Sequence, residues 1–419
     1  MLSKATRQLI ERPGEVASGR LQCCLGVAIF RLLMRSGVGT GGRGDPVPPR
    51  PRSTRNPTRF PALSTTICAL EKTGHSLSSD MFGLPRSHLM ASGSESQGRR
   101  GTERPQVLLL RRPLSVLHEA LSARFQLLRP WESPVPFDRF LAAHAAGVRA
   151  LLVTGLTPVD GPLLDALPAL RFIVTTSSGV NHIDLAECAR RGIAVANAGT
   201  IFSLDVAEYA VGLLIDVLRR VSASDRYVRR GLWPRAGDYP LGSKLGSKRV
   251  GIVGLGSIGS EIAKRLEAFG CSISYFSRSR KPQVPYTYFP SVGDLAAESN
   301  VLVLSCALTK ETYHIINRDV MSALGKDGII INVGRGALVD EAELVKHLMQ
   351  GEIGGAGLDV FEHEPAVPEE LFCMDNVVLS AHFAVHTLEM SSELCQLMIA
   401  NLNAFFSDRP LLTPVLVRT

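Results

Sequence analysis

Long apolar runs are missing from this 419-residue chain. The best one, LQCCLGVAIF at residues 21–30, has about half of the roughly 20 residues that a membrane-spanning helix needs, and it is followed directly by Arg31. A secretory signal would also need a small-residue cleavage site, and no clear one follows this run. We therefore expect neither a membrane span nor a secretory signal.

Cysteine pairs and metal-ligand spacings are lacking as well. The chain has 8 cysteines, but those beyond residue 90 are scattered singly, without a C-x-x-C or a Cys/His ligand spacing. We expect reduced, packed thiols of an intracellular protein and no metal site. These residues are Cys188, Cys271, Cys306, Cys373 and Cys395.

Acidic residues are scarce at the N-terminal end. Residues 1–90 hold 13 Lys and Arg against 5 Asp and Glu, so this segment accounts for all of the chain's net charge of +7. The rest of the chain is close to neutral and calls for no polyanionic partner. We expect residues 1–100 to be a disordered or leader segment of a cytoplasmic protein. One alternative is a plastid or mitochondrial transit peptide in residues 1–90, and another is nucleic-acid binding through the basic segment.

Short apolar segments alternate with periodic helical ones from about residue 106 onward. This alternation is typical of parallel sheets with helices on both faces. We predict an α/β protein with two Rossmann-like lobes and a cleft between them. A flavodoxin-like substrate-binding domain covers 105–203 and is completed by 386–419, and an NAD(P)-binding Rossmann domain covers 204–385. The predicted strands lie at 106–110, 150–155, 171–176 and 194–197 in the first lobe and at 249–254, 274–276, 301–306, 328–333, 355–360 and 377–381 in the second, and one long helix is predicted over 205–229.

The segment RVGIVGLGSIGSEIAKRL carries a G-x-G-x-x-G motif between a predicted strand and a predicted helix. Gly254 permits the tight turn, Gly256 lets the backbone approach a pyrophosphate, and Gly259 lets the helix pack on the strand. The first N–H groups of the helix, at Ser257 and Ile258, and its positive dipole end favour the phosphates. We predict a dinucleotide site here, and the alternative is a glycine turn without a ligand.

An acidic residue is absent about 20 residues further on, where NAD sites usually carry one for the ribose 2′-hydroxyl. The sequence there reads SRSRK, beginning with Ser277 and Arg278. A guanidinium can bind a 2′-phosphate that a carboxylate would repel. We predict a preference for NADP(H), with NAD(H) still possible, and the alternative is that these cations form a solvated loop.

Three side chains suited to the reduction of a ketone follow predicted strands of the second lobe. Arg335 lies in the turn NVGRGA, Glu364 in DVFEHEP and His382 in LSAHFA. The carboxyl ends of parallel strands meet at the edge where open α/β sheets bind ligands. Hydride addition to a ketone develops negative charge on the oxygen, which calls for a fixed cation and a proton donor.

These motifs resemble the D-isomer-specific 2-hydroxyacid dehydrogenase family over residues 106–414, and most of all its plant-type glyoxylate/hydroxypyruvate reductases and hydroxyphenylpyruvate reductases. The resemblance implies that Arg335 binds the substrate carboxylate and polarises the ketone. It implies that His382 protonates the carbonyl oxygen and that Glu364 is the partner of this histidine. Asp359 matches the family residue near the nicotinamide carboxamide.

The loop TTSSGVNHIDL resembles the carboxylate-binding loop of the same family, so that N–H groups of Ser178 and Gly179 are expected to hold the substrate carboxylate. A strand-ending turn with a helix cap is the alternative for this loop. The family also implies a homodimer with Trp233 in its contact, although a packing role is as reasonable. Ala384 stands where the family often has Gly, and Ser178 stands where many relatives have an apolar residue, so the identity of the substrate stays open. The bulky Phe383 between His382 and Ala384 is expected to shape the substrate pocket.

The expected activity is NADPH-dependent reduction of glyoxylate and hydroxypyruvate, with hydroxyphenylpyruvate as the nearest alternative substrate. A dinucleotide-sensing corepressor without enzymatic activity is the alternative of another class. Three alternative residues stay open within the site. His386 is an alternative to His382 as the acid, and Glu362 and Glu369 are alternatives to Glu364 as the carboxylate partner of the acid.

Overall fold

The computed structural model describes residues 104–416, apart from Leu156. The expectations for residues 1–100 therefore lie outside the described part of the chain. The described residues lie in one compact unit, which contains two parallel β-sheets with helices on their faces. Among them, no helix is both long and apolar enough to cross a membrane.

The first sheet has five parallel strands in the order β2-β1-β3-β4-β5, which is the flavodoxin order. Strands β3 and β4 are buried over their full lengths, as expected for a parallel sheet covered on both faces. The elements are β1 (Gln106–Leu109), α1 (Ser115–Ser122), β2 (Gln126–Leu128), α2 (Phe137–His144), β3 (Ala150–Val153), α3 (Gly161–Asp165), β4 (Phe172–Thr175), α4 (Leu185–Arg190) and β5 (Ala194–Ala196).

Helices α5 (Ser203–Arg219), α6 (Val221–Arg229) and α7 (Trp233–Ala236) lead to a second sheet of seven parallel strands, ordered β12-β11-β10-β9-β6-β7-β8. The strand order reverses between β6 and β9, which is the switch point where dinucleotides bind in Rossmann sheets. The predicted fold class is confirmed. The remaining elements are β6 (Arg249–Val253), α8 (Ser257–Ala268), β7 (Ser272–Phe276), β8 (Thr287–Phe289), α9 (Val292–Ala297), β9 (Val301–Leu304), α10 (Arg318–Leu324), β10 (Ile329–Asn332), α11 (Glu341–Gln350), β11 (Gly355–Leu358), β12 (Val377–Leu379) and α12 (Leu388–Phe406).

The single helix predicted over 205–229 is wrong, because the chain breaks between α5 and α6. Arg220 adopts a left-handed conformation with φ of 56°. The carboxylate of Asp216 accepts hydrogen bonds from the backbone N–H and the hydroxyl of Ser222. A side chain that binds backbone groups in this way competes with the continuing helix and starts a new one.

Two strands escaped the sequence prediction, and both lie at the edges of their sheets. Strands β2 and β8 have three residues each, and most of those residues are exposed or only partly buried. Edge strands are commonly short and carry no continuous apolar run, so the pattern that identifies a buried strand is absent.

The two sheets are connected through α5 and α12. Helix α5 packs against α8 and the strands β10, β11 and β12, whereas α12 packs against α1 and β4 of the first sheet. The hydroxyl of Thr387, before α12, donates to the carboxylate of Asp205 on α5 at 2.7 Å. One cluster of buried apolar side chains includes residues of both sheets and of α5, so the two lobes share a continuous core.

Candidate active site

The glycine-rich turn joins β6 to α8 at the switch point of the second sheet. Gly254 has φ of 101°, and a β-carbon there would lie 2.6 Å from the backbone of Cys306, so only glycine fits. A β-carbon on Gly256 would meet open space, which leaves room for an approaching ligand. A β-carbon on Gly259 would overlap the carbonyl of Gly254, so this glycine permits the close packing of helix and strand. The turn therefore fits the pyrophosphate of a dinucleotide, held by the first N–H groups of α8 at Ser257 and Ile258.

The basic segment after β7 lies beside this turn, because the N–H of Gly254 donates to the carbonyl of Phe276, the last residue of β7, at 2.9 Å. Ser277 is partly buried, and its hydroxyl donates to the carbonyl of Ser279 at 2.6 Å. Arg278 is exposed and makes no ion pair within the described part of the chain. The guanidinium of Arg278 thus follows the second strand of the Rossmann sheet, whose end binds the ribose 2′-position of the dinucleotide in this fold.

The predicted acid and its partner are in direct contact. Nδ1 of His382 donates to Oε2 of Glu364 at 2.9 Å, and Oε1 of Glu364 accepts the N–H of Phe361 at 3.1 Å. Burial raises the pKa of Glu364, but the hydrogen bond and charge of His382, the Phe361 N–H and the charge of Arg335 together hold it below its usual value. Glu364 is therefore an ionised carboxylate, and Nε2 of His382 is the ring nitrogen left for a substrate.

Asp359 fixes the loop that carries His382. Its buried carboxylate accepts the hydroxyl of Ser380 at 2.6 Å and the N–H groups of Phe383 at 2.7 Å and Ala384 at 3.0 Å. Its carbonyl accepts the N–H of His382 at 2.7 Å, and His382 has φ of 52° in the left-handed region. The side chain expected near the nicotinamide thus has a second task, which is to hold the backbone of the predicted acid.

Arg335 follows β10 in a turn fixed by Asn332, whose amide donates to the Arg335 carbonyl at 2.9 Å and accepts the N–H of Gly334 at 3.1 Å. Its guanidinium reaches the first lobe. A β-carbon on Gly179 would lie 3.1 Å from Cζ of Arg335 and still closer to Nη2. Burial lowers the pKa of Arg335 while Glu364 acts in the opposite direction, and a guanidinium stays charged at neutral pH.

The loop that contains Ser178 and Gly179 offers unpaired N–H groups. The amide of Asn197 donates to the carbonyl of Ser178 at 2.7 Å, and the hydroxyl of Ser177 donates to the carbonyl of Gly179 at 2.6 Å. Among the described residues, no acceptor contacts the N–H of Ser178 or of Gly179. A small cradle of free amides therefore lies beside the Arg335 guanidinium, as a carboxylate-binding nest requires.

The alternative residues occupy other positions. Glu362 accepts hydrogen bonds from Tyr313 at 3.2 Å and His314 at 2.9 Å, so it belongs to a different histidine. His386 stacks on Phe383 with ring centroids 5.3 Å apart, and nothing pairs its imidazole with a carboxylate in the described residues. Glu369 lies in the short 3-10 helix Glu369–Cys373.

Sequence reasoning did not assign a role to His182, Asn197 or His314. His182 and Asn197 lie within or close to motifs that had been singled out, but their contacts are made across loops and leave no periodic signal. His314 and Glu362 are 48 residues apart and meet only because β9 and β11 flank β10 in the sheet.

The chain matches the family model described as "D-isomer specific 2-hydroxyacid dehydrogenase, NAD binding domain" over residues 211–384. It is 58% identical over 314 residues to glyoxylate/hydroxypyruvate reductase HPR3 of Arabidopsis thaliana, covering 74% of this chain and 97% of that protein. The chain belongs to the D-isomer specific 2-hydroxyacid dehydrogenase family. The predicted family is thus confirmed, and so is the prediction of a dinucleotide-binding domain of the NAD type.

Other members of this dehydrogenase family are also similar. Hydroxyphenylpyruvate reductase of Plectranthus scutellarioides is 49% identical over 309 residues, covering 74% of this chain and 98% of that protein. The crystal structure of an NADPH-dependent glyoxylate/hydroxypyruvate reductase of Sinorhizobium meliloti, in complex with NADP and malonate, has a TM-score of 0.70. It is 38% identical and covers 75% of this chain and 97% of that one.

Proposed function

We propose that this chain is an NADPH-dependent reductase of small 2-oxo acids, with glyoxylate and hydroxypyruvate as the favoured substrates. One observation carries the proposal: the guanidinium of Arg335 lies against the amide cradle at Gly179 and is close enough to Glu364, the partner of His382, to affect its pKa. A cation, a free-amide cradle and a carboxylate-supported imidazole are together what the reduction of a 2-oxo acid needs.

In the proposed mechanism, the N–H groups of Ser178 and Gly179 bind the substrate carboxylate together with Arg335. The guanidinium also polarises the ketone and stabilises the negative charge that develops on its oxygen. Nε2 of His382 donates a proton to that oxygen, and the ionised Glu364 stabilises the imidazolium before the transfer. When bound, the nicotinamide supplies the hydride.

The cofactor would be held by residues that the sequence singles out: Gly254, Gly256 and Gly259 with the start of α8, and Ser277 and Arg278 after β7. The open space at Gly256 and the unpaired cation Arg278 fit a pyrophosphate and a 2′-phosphate. The relative from Sinorhizobium meliloti, which is named NADPH-dependent, supports the same preference.

Hydroxyphenylpyruvate is the second candidate substrate, favoured by the 49% identity to the Plectranthus enzyme. Phe383, next to His382, is 53% exposed, and the centroid of its ring lies 6.4 Å from the ring centroid of Tyr209. These rings offer aromatic surface near the proposed acid, and such surface favours an aryl substrate.

We also propose the assignment of the lobes, a homodimer and a cytoplasmic location. Residues 105–203 with 386–419 would bind the substrate and 204–385 the cofactor. Exposed apolar side chains on α5, α6 and α7 support the dimer, because a second copy would remove them from water. They are Leu204, Val221, Val228 and Trp233. Analytical ultracentrifugation tests the dimer, and imaging of tagged chains with and without residues 1–90 tests the location.

The function is tested by following NADPH and NADH oxidation with glyoxylate, hydroxypyruvate, pyruvate and hydroxyphenylpyruvate. We expect the highest kcat/KM with NADPH and with glyoxylate or hydroxypyruvate. A clearly higher kcat/KM with hydroxyphenylpyruvate would make it the favoured substrate in place of glyoxylate and hydroxypyruvate. If the protein binds NADPH but oxidises it with none of the four substrates, the assignment as an enzyme fails and the dinucleotide-sensing scaffold takes its place.

A further inference from the structure

His182 is a partly buried imidazole for which the proposed mechanism has no use. Burial, and after it the positive charge of Arg335, lower the pKa of His182 to about 4. The ring is therefore neutral at neutral pH, although it lies within the electrostatic reach of the guanidinium that is proposed to bind the substrate. A neutral imidazole there neither competes for the substrate carboxylate nor repels Arg335.

A chain of side-chain contacts leads from this ring to the substrate cradle. Nε2 of His182 lies 3.2 Å from Oγ1 of Thr175, which in turn lies 3.0 Å from Oγ of Ser177. The hydroxyl of Ser177 donates to the carbonyl of Gly179 at 2.6 Å. Thr175 is fully buried, so this link is shielded from water, and removal of the imidazole leaves the Thr175 hydroxyl with Ser177 as its partner.

The chain ends on the carbonyl of the Gly179–Val180 peptide, which directly follows the α-carbon that lies against Arg335. Because a β-carbon on Gly179 would collide with the guanidinium, a small displacement of this peptide changes the space between the cradle and Arg335. The peptide on the other side of this α-carbon, which carries the N–H of Gly179, is held by Asn197 through the carbonyl of Ser178. The hydroxyl of Ser178 donates to the carbonyl of Gly199 at 2.9 Å. Gly179 is therefore held from both sides, by Asn197 before its α-carbon and by the His182 chain after it.

We propose that His182 is a positioning residue for the substrate carboxylate: through Thr175 and Ser177 it holds the carbonyl of Gly179, and with it the α-carbon that lies against Arg335. This inference rests on the proposed function. It predicts a selective effect on the binding of the 2-oxo acid, because the chain ends at the cradle and reaches neither the glycine-rich turn nor His382.

The test compares His182→Leu, which keeps the volume but makes no hydrogen bond, with His182→Gln, which can bond to Thr175. The Ser177→Ala variant breaks the same chain one link closer to the cradle. KM and kcat are measured with hydroxypyruvate, and dissociation constants are measured for NADPH and for oxamate, an unreactive 2-oxo acid analogue, in the presence of NADP⁺. Thermal unfolding is recorded for each variant.

We expect KM and the oxamate dissociation constant to rise about tenfold in His182→Leu and Ser177→Ala, which is the loss of one buried hydrogen bond. NADPH binding, kcat and the unfolding temperature should stay near wild type, and His182→Gln should recover most of the affinity. Unchanged KM and oxamate binding, or a joint fall in kcat, NADPH affinity and unfolding temperature, would overturn the proposal. If His182→Leu does not fold, His182→Gln and Ser177→Ala still decide it.

Failure of this inference and of the proposed function are distinguishable. If the wild-type protein reduces none of the 2-oxo acids, the function fails, and the oxamate dissociation constants still test the role of His182. If the wild type is active and the variants bind substrate as it does, only the positioning role fails.

Discussion

Gly179 of the first lobe lies against the guanidinium of Arg335 in the second, with space for a hydrogen atom but not for a methyl group. In Gly179→Ala, the added methyl group would overlap the guanidinium, so either the cradle or the guanidinium must move. We expect KM for hydroxypyruvate to rise by roughly 10- to 100-fold, from a strain of about 1–3 kcal/mol. Steady-state kinetics check this, together with an unchanged dissociation constant for NADPH.

Gly161→Ala is the matched control, because a β-carbon at Gly161 would meet no atom within 4 Å. Wild-type kinetics in both variants would mean that the observed contact between the lobes has no part in substrate binding.

Arg278 is the side chain expected to distinguish the two cofactors. In Arg278→Asp, a carboxylate would repel a 2′-phosphate and could accept a hydrogen bond from a ribose 2′-hydroxyl. We expect the KM for NADPH to rise far more than that for NADH. Lys326→Asp makes the same charge change at an exposed position in the turn before β10, away from the carboxyl ends of the strands. Equal changes for both cofactors in Arg278→Asp, or the same shift in the control, would refute the assignment.

Asp359 is expected to hold the loop of His382 through its three carboxylate contacts. In Asp359→Asn, an NH2 group must face a backbone N–H or the Ser380 hydroxyl, so at least one buried hydrogen bond is lost. We expect the free energy of unfolding to fall by about 1–3 kcal/mol and kcat to fall as well. Urea unfolding and kinetics measure the two effects. Asp327→Asn, at an exposed turn, should change neither. An Asp359→Asn variant with normal stability and turnover would contradict the role of Asp359 in holding the loop of His382.

Glu364 predicts a pH dependence of stability with a definite sign. Its pKa in the folded protein is below its ordinary value, so the ionised carboxylate stabilises the fold. This contribution is complete above the ordinary carboxyl pKa of about 4.3 and is lost as the pH falls through the folded pKa. We expect the difference in unfolding free energy between wild type and Glu364→Gln to shrink as the pH falls below that value. A difference that grows in acid would show that the carboxylate is not stabilised by its neighbours.

The sequence predicted those features that depend on local pattern. Fully buried strands such as β9 and β10 gave continuous apolar runs, and the residues that follow the strands carried the motifs of the site. The break at Arg220 was missed because it depends on the side chain of Asp216 bonding to Ser222, which a helical periodicity does not record. The edge strands β2 and β8 were missed because they are short and half exposed.

Contacts between loops of the site could not be predicted from the sequence. Asp359 was expected beside the cofactor, but its contacts to the backbone after Ser380 appear only in the folded chain. His182 and Thr175 are seven residues apart and join a strand end to the loop beyond it. Such pairs have no fixed spacing along the sequence, so their contacts can be predicted only when the sheet order is known.

The imidazole of His382 is proposed to protonate the substrate, and kcat for hydroxypyruvate in His382→Ala and His386→Ala measures this role. The structure supplies this comparison, because both histidines lie on the same loop and only His382 is paired with Glu364. We predict that kcat falls by about 10²- to 10⁴-fold in His382→Ala, with NADPH binding retained, and stays near wild type in His386→Ala. Undiminished turnover in His382→Ala, or an equal loss in His386→Ala, would contradict the assignment of the acid.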